Sequence, residues 1–244
     1  MMAKLIYALP LPAGSDRAGF VTALAGLGRA LAALRPAGLR LNLQDAGVDH
    51  GDAVDHHPAL GRASPFGPIE AVVQLWLEDA SPPARAPFDA AIAEVAPVRH
   101  GYVVEERLLV HNLRQSAKPG ERNDGFSQIA ILQIPETLSY EDWLQRWQDR
   151  HTWVALSIHP HLEYIQNRVA EAITPDAPPF AGIGEEQFPI EGLHDERPLF
   201  KGGSDDATFK ALYHVMYEDA ARFIDFARLD MLVTSQFDVI PPPR

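Results

Sequence analysis

His151 is the residue whose type and position best suit chemistry. Together with Trp143, Trp147, Val154 and Ile158 it recurs at spacings of three and four residues, which places all five on one apolar face of a helix. A face built only for burial would carry Leu or Val at this position. A titratable side chain there needs a partner or a function. Imidazole suits a general base near neutral pH, and the alternative is a structural histidine bonded to a backbone carbonyl.

The strand predicted after this helix, Leu162 to Val169, supplies two further candidates. Tyr164 could donate a hydrogen bond to a carbonyl or a developing enolate, and Asn167 could orient it. Alternation directs Tyr164 and Gln166 to one face and Ile165 and Asn167 to the other. Tyr164 and Asn167 therefore share one cavity only if a bulge intervenes. Each of them is otherwise an ordinary strand residue.

Local signals give this helix its limits. Ser139 can cap its start, and Asp142, three residues later, resembles a capping box. Pro160 ends it, because the residue before a proline leaves the helical region. His159 and His161 then fall in a turn, where we expect both side chains to be exposed. Trp143 and Trp147 lie one turn apart and can serve as core, as the wall of an apolar binding site, or as both.

Other clusters carry weaker signals. The first half has a loop that could bind a transition metal through imidazole and carboxylate groups, although soluble turn chemistry explains it as well: Asp49, His50, Asp52, Asp55, His56 and His57. No motif fixes a ligand geometry, so we predict no metal. Glu185 and Glu186 are adjacent in a strand and point to opposite faces, so they form no catalytic dyad.

The composition narrows the class of protein. The chain has 244 residues, a formal net charge of −12, 46% hydrophobic residues and no cysteine. It can bury a full core, its acidic balance argues against nucleic acid, and disulfides or thiolate chemistry are excluded. Without an apolar run of about 20 residues, no membrane span is expected. We expect a cytoplasmic protein without cofactor that binds a small molecule, and a homodimer remains open.

The order of elements repeats. Strands and helices alternate as β-α-β-β-α-β over residues 1–112 and again over 126–244, with a polar linker at 113–125. Each unit matches a ferredoxin-like arrangement. The predicted fold class is therefore α+β, two tandem ferredoxin-like units forming an intramolecular α/β barrel of the dimeric type. An ungapped match of the halves places Arg29 opposite His151 and Asn42 opposite Tyr164.

The second half resembles the EthD domain family of the dimeric α/β-barrel superfamily. The resemblance rests on Asp142-Trp143 to Trp147, then His151, then Tyr164-Ile165-Gln166-Asn167, and on Phe223-Ile224-Asp225 before a Val-rich closing strand. It covers about residues 126 to 240, and the first half matches in architecture only. The superfamily includes cofactor-free cyclases and dehydratases, monooxygenases, isomerases and haem-binding proteins, so the resemblance implies a small-molecule protein.

Residues and resemblance together predict a cofactor-independent enzyme acting on a small apolar carbonyl or aromatic compound. Proton abstraction next to a carbonyl would lead to elimination, cyclisation or isomerisation, the work of a lyase, cyclase or isomerase. The catalytic candidates are His151, Tyr164 and Asn167, and the substrate-binding candidates are Trp143, Trp147, Gln166, Phe180 and Phe223. A non-catalytic binding protein and a haem-binding protein are the alternatives.

Overall fold

The computed structural model describes residues 2–48, 66–113 and 118–243. The Asp- and His-rich loop that was considered as a possible metal site, from Asp49 to His57, lies outside the described residues. Within them, no group of three or more metal-ligating side chains comes together. No helix in the described part of the chain is long and apolar enough to cross a membrane.

Eight antiparallel strands close into a barrel in the order β1-β3-β2-β8-β5-β7-β6-β4. The first half supplies β1 to β4, at Ala3–Pro10, Gly38–Leu43, Ile69–Leu77 and His100–Val110. The second supplies β5 to β8, at Phe126–Leu132, Glu163–Ala172, Gly182–Phe188 and Asp230–Ile240. Pairing of β2 with β8 and of β4 with β6 joins the halves. The prediction of an α+β fold closed as an α/β barrel is confirmed.

Helices pack on the outside of the barrel. They are α1 (Arg17–Ala33), α2 (Pro82–Val95), α3 (Tyr140–Leu144), α4 (Thr152–Ile158) and α5 (Asp206–Ala220). The expected cap at Ser139 forms, since its side chain accepts a hydrogen bond from the amide of Asp142 at 3.1 Å. Asp16 caps α1 in the same way, accepting from the amide of Gly19 at 2.7 Å. A π-helical segment, Gln145–His151, connects α3 to α4, which the sequence did not predict. Such segments are rare and concentrate at functional sites.

The predicted linker is tied to the barrel. In its described part, the amide of Gly120 donates to the carbonyl of Asp238 at 2.7 Å, and that of Asn123 to the carbonyl of Gln236 at 2.8 Å. The segment therefore runs along β8, where those backbone groups find partners.

Charged and polar side chains fill much of the barrel interior. Arg40 of β2 reaches across the interior to Glu163 of β6 at 2.6 Å and to Asp238 of β8 at 2.7 Å. Glu185 of β7 lies 3.5 Å from the same guanidinium and accepts a hydrogen bond from Asn42 at 2.9 Å. Burial opposes ionisation of Glu185, but the charge of Arg40 lowers its pKa below the usual value. One buried cation thus binds strands from both halves.

The residue-by-residue match of the two halves is wrong. Arg29 is exposed on α1, whereas His151 is buried. Asn42 points into the barrel and bonds Glu185, whereas Tyr164 points outward beside Gln166 and α4. A shift by one residue moves a strand side chain to the other face of the sheet, so an ungapped count could not hold the register.

Replacing Arg40 by Met should destabilise the protein by about 3–5 kcal/mol, because Glu163 and Glu185 would remain buried without their cation. The measurement is the free energy of unfolding in urea at pH 7. Arg29→Met, at an exposed position of α1, is the matched control and should change it by less than about 0.5 kcal/mol. A loss below 1 kcal/mol for Arg40→Met would contradict this role.

Candidate functional site

A cavity of about 130 Å³ lies between the second-half helices and the outer face of the sheet. Its walls include four of the predicted site residues: Trp147, His151, Tyr164 and Phe223. Most other lining side chains are apolar or aromatic, among them Phe188, Phe200, Tyr213, Met216, Tyr217 and Phe226. Tyr217 is 48% exposed, so the cavity approaches the surface beside it. An apolar cavity of about this size can hold a molecule as large as benzene.

Small residues on the sheet create this space. Ala130 of β5 pairs with Gly184 of β7, and a Cβ atom added at Gly184 would meet only the Cβ of Ala130, at 4.0 Å. In the first half, β1 and β3 carry larger side chains, such as the paired Tyr7 and Val73, both buried in a packed apolar cluster. In the first half, larger side chains therefore fill the space between helices and sheet. In the second half, that space remains open as the cavity.

Asp219 of α5 holds the ring of His151. Its Oδ2 lies 3.0 Å from Nδ1 of His151, and its Oδ1 accepts a hydrogen bond from Arg150 at 2.7 Å. Burial would raise the pKa of Asp219, but the hydrogen bonds from His151 and Arg150 hold it below the usual value. The carboxylate fixes the proton on Nδ1. Nε2 of His151 makes no hydrogen bond to any described residue, and it is the nitrogen left for a ligand.

Tyr164 lines the same cavity, and its hydroxyl group is held by a neighbouring amide. Gln166 donates a hydrogen bond to that hydroxyl at 2.8 Å and is itself held by Thr152 at 3.1 Å. Burial and the nearby Glu186 carboxylate raise the pKa of Tyr164 well above its usual value, so the phenol keeps its proton. Because the hydroxyl oxygen already accepts from Gln166, its hydrogen remains for a ligand acceptor.

Four predicted site residues lie away from the cavity wall. Asn167 points into the barrel and donates to the carbonyl of Ile183 at 3.1 Å, so it does not share a cavity with Tyr164. Phe180 packs inside one end of the barrel against Tyr102, with ring centroids 5.6 Å apart. Trp143 is fully buried behind Trp147. Gln166 is connected to the cavity only through its hydrogen bond to the Tyr164 hydroxyl.

The expectation that His159 and His161 are exposed is wrong. The side chain of His161 is 1% exposed, stacks on Tyr164 with centroids 4.8 Å apart, and pairs with Glu186 at 2.8 Å. Burial would raise the pKa of Glu186, but the neighbouring imidazoles, His161 first, lower it to about 2. His159 and Glu186 both line the cavity.

Sequence reasoning missed Asp219, His159 and Glu186. Asp219 lies 68 residues from His151, and its only sequence signal was a carboxylate beside the apolar positions Met216 and Ala220 of α5. His159 and His161 flank a proline, which predicted an ordinary turn. In the structure this turn packs over the aromatic ring of Phe188, whose centroid lies 5.4 Å from that of the His159 ring.

This arrangement supports proton transfer inside an apolar space. The cavity offers an imidazole oriented by a buried carboxylate, a phenol hydroxyl that stays protonated, and a second imidazole. The imidazole of His151 is a competent general base. The phenol hydroxyl of Tyr164 is a hydrogen-bond donor for a carbonyl or enolate oxygen.

Comparison with known proteins establishes the fold. No protein-family model matches the chain, and neither does any curated protein. An anthrone oxidase-like protein shares 8% identity with a TM-score of 0.54, over 99% of this chain and 94% of that one. A dye-decolorizing peroxidase from Bacteroides thetaiotaomicron VPI-5482 shares 10% (TM-score 0.47; 95% and 92% covered). A mutant chlorite dismutase from Candidatus Nitrospira defluvii shares 11% (TM-score 0.44; 96% and 91%). The anthrone oxidase-like protein therefore shares the overall fold of this chain, and EthD membership is not confirmed.

Two glycines of β7 give opposite predictions. Gly184→Val should keep stability within about 1 kcal/mol, since Val favours strands and the added atoms enter open space, but it should abolish binding of a single-ring probe such as benzene. Gly182→Ala should lose about 1–3 kcal/mol, because its Cβ would lie 2.4 Å from the ring of Trp147. For each variant, urea unfolding measures the stability, and quenching of tryptophan fluorescence measures the binding. Undiminished binding by Gly184→Val would place the ligand elsewhere.

His159 should make stability depend on pH. Burial lowers its pKa from 6.5 to about 4, so the unfolded chain binds a proton between these values while the folded chain does not. Stability should therefore fall by about 2 kcal/mol between pH 7.5 and pH 5 from this group alone. His159→Asn should remove that part of the decrease in urea titrations, and His214→Asn, on the exposed side of α5, should not. Identical pH dependence in all three proteins would contradict burial of a neutral imidazole.

Proposed function

We propose that this protein is an enzyme that abstracts a proton next to the carbonyl group of a small apolar cyclic compound. The observation that carries the proposal is the His151–Asp219 pair at the wall of an apolar cavity, 3.0 Å between Nδ1 and Oδ2. His151 is the general base, Tyr164 the hydrogen-bond donor to the carbonyl oxygen, and Trp147 and Phe223 apolar wall.

Each step uses a group already in place. Nε2 of His151 takes the proton from the carbon next to the carbonyl, and the C–H electron pair moves toward the carbonyl oxygen. The Tyr164 hydroxyl stabilises the resulting enolate. Asp219 stabilises the imidazolium that forms. Where the enolate is conjugated with a C=C bond, return of the proton from Nε2 to the far carbon of the conjugated system gives an isomer. Where the β-carbon bears a hydroxyl group, the enolate electrons form a C=C bond and expel it, and the imidazolium gives it the proton, so that water leaves. This chemistry needs no further reagent.

Two alternatives make different demands on the cavity. A non-catalytic binding protein would use the same apolar walls but would not need the carboxylate behind His151. A haem-binding protein would need room for a macrocycle, and a cavity of about 130 Å³ suits a single ring. The oriented imidazole and the cavity size therefore favour the enzyme.

We also propose that the halves, residues 1–112 and 126–244, are tandem ferredoxin-like units and that the second is EthD-like. The order of neighbouring strands supports this: β4-β1-β3-β2 in one half and β8-β5-β7-β6 in the other. When the strands of each half are numbered along the chain, both halves have the order fourth, first, third, second. His151, Tyr164 and Phe223, which carry the EthD resemblance, all line the cavity.

The test is exchange of the α-hydrogens of cyclohexanone for deuterium in D2O at neutral pH, followed by NMR. The wild-type protein should accelerate exchange over buffer. His151→Asn should lower the acceleration by about 100-fold or more, the usual share of a general base. Tyr164→Phe should lower it by about 100-fold through loss of the enolate donor.

His214→Asn serves as the matched control, because His214 is an exposed histidine of α5 and should leave the rate unchanged. Binding of cyclohexanone without any accelerated exchange would favour the binding protein. Equal rates for the wild type and for a folded His151→Asn protein would refute the assignment of the base.

A further inference from the structure

His159 is a second histidine of the cavity that the proposed reaction does not use. It follows α4 and lies among aromatic rings, with centroids 5.4 Å from Phe188 and 5.0 Å from Phe200. It belongs to the same cavity wall as His151 and Tyr164 but comes from the turn before β6.

The hydrogen bonding of His159 fixes its tautomer. Nδ1 lies 2.5 Å from the carbonyl oxygen of Leu199, which can only accept, so Nδ1 carries the hydrogen. Burial lowers the pKa of His159 to about 4, so the ring is neutral near pH 7. Nε2 is then a bare acceptor.

No described residue donates a hydrogen bond to Nε2 of His159. The titratable groups that act on this ring are Glu186, His161 and His151. Glu186 is ionised and has no proton to give, and His161 is bonded to Glu186 at 2.8 Å. His151 donates through Nδ1 to Asp219. A cavity wall that is otherwise apolar and carries one acceptor without a donor favours a ligand that supplies a donor at that point.

We propose that His159 is a specificity-determining residue that accepts a hydrogen bond from an O–H or N–H group of the ligand. Combined with the proposed function, on which this extension rests, the substrate class becomes a small cyclic carbonyl compound bearing a hydroxyl or amine donor. Tyr164 binds the carbonyl oxygen, His151 takes the carbon-bound proton, and His159 recognises the donor.

The experiment compares phenol with toluene, which have one ring and nearly the same size but differ in the donor. Dissociation constants for both come from calorimetry or from the fluorescence of Trp147 in the cavity wall. His159→Asn keeps a donor for Leu199 and deletes Nε2. The ratio of the toluene constant to the phenol constant should fall about fivefold or more in this variant, the worth of one hydrogen bond. Toluene binding itself should stay within about twofold.

Controls make the outcome specific. His159→Gln places an amide oxygen near the position of Nε2 and should restore part of the phenol preference. His214→Asn should leave the ratio unchanged. Three results would overturn the proposal. The ratio could stay unchanged in a folded His159→Asn protein, or it could fall in His151→Asn instead. The wild type could also bind neither phenol nor toluene. Hydrogen–deuterium exchange of cyclohexanone is measured separately. If exchange is accelerated but the ratio of dissociation constants does not change, only the role of His159 is refuted. If the ratio changes but exchange is not accelerated, only the proposed reaction is refuted.

Discussion

The barrel depends on a buried cation. Arg40 projects from the first half into an interior that also contains Glu163, Glu185 and Asp238 of the second half. Three carboxylates so close together would repel one another without it, and a guanidinium is the one side chain that can bond several at once with fixed geometry. Since β2 pairs directly with β8 but not with β6 or β7, these contacts hold strands that backbone hydrogen bonds do not connect. The outer face, where the cavity lies, is therefore built on a fixed sheet.

Alternation along one strand separates stability from chemistry. On β7, Glu185 points inward to the Arg40 cluster, and Glu186 points outward to His161 at the cavity. The same strand carries Gly184, which leaves the cavity open, and Gly182, which lets Trp147 lie against the sheet. A strand of seven residues thus contributes an interior ion pair, the floor of the cavity and one of its charged groups. Register is strongly constrained here, because a slip of one residue would exchange all of these roles.

The cavity depends on side chains that only the fold brings together. Asp219 comes from α5, Tyr164 from β6 and His151 from the π-helical segment before α4. Within the π-helical segment, the carbonyl of Gln148 accepts hydrogen bonds from Thr152 at 2.8 Å and from Arg107 at 2.6 Å. Thr152 in turn holds Gln166, and Gln166 holds the hydroxyl of Tyr164. The local irregularity of the helix is thereby linked to the orientation of the proposed oxygen-binding group.

Hydrophobic periodicity, caps and strand alternation in the sequence predicted the elements, because these are local properties. The repeated order of elements and the resemblance to a known family predicted the α/β barrel and a site that includes both His151 and Tyr164. It also assigned Asn167 to the face opposite Tyr164. Only the tertiary structure decided that Asp219 orients His151, that His159 packs among aromatic rings, and that Ala130 and Gly184 leave the space open. These are contacts and volumes between segments far apart in the chain, and packing of one helix against another fixes them. No periodic pattern within a single segment records such a distance.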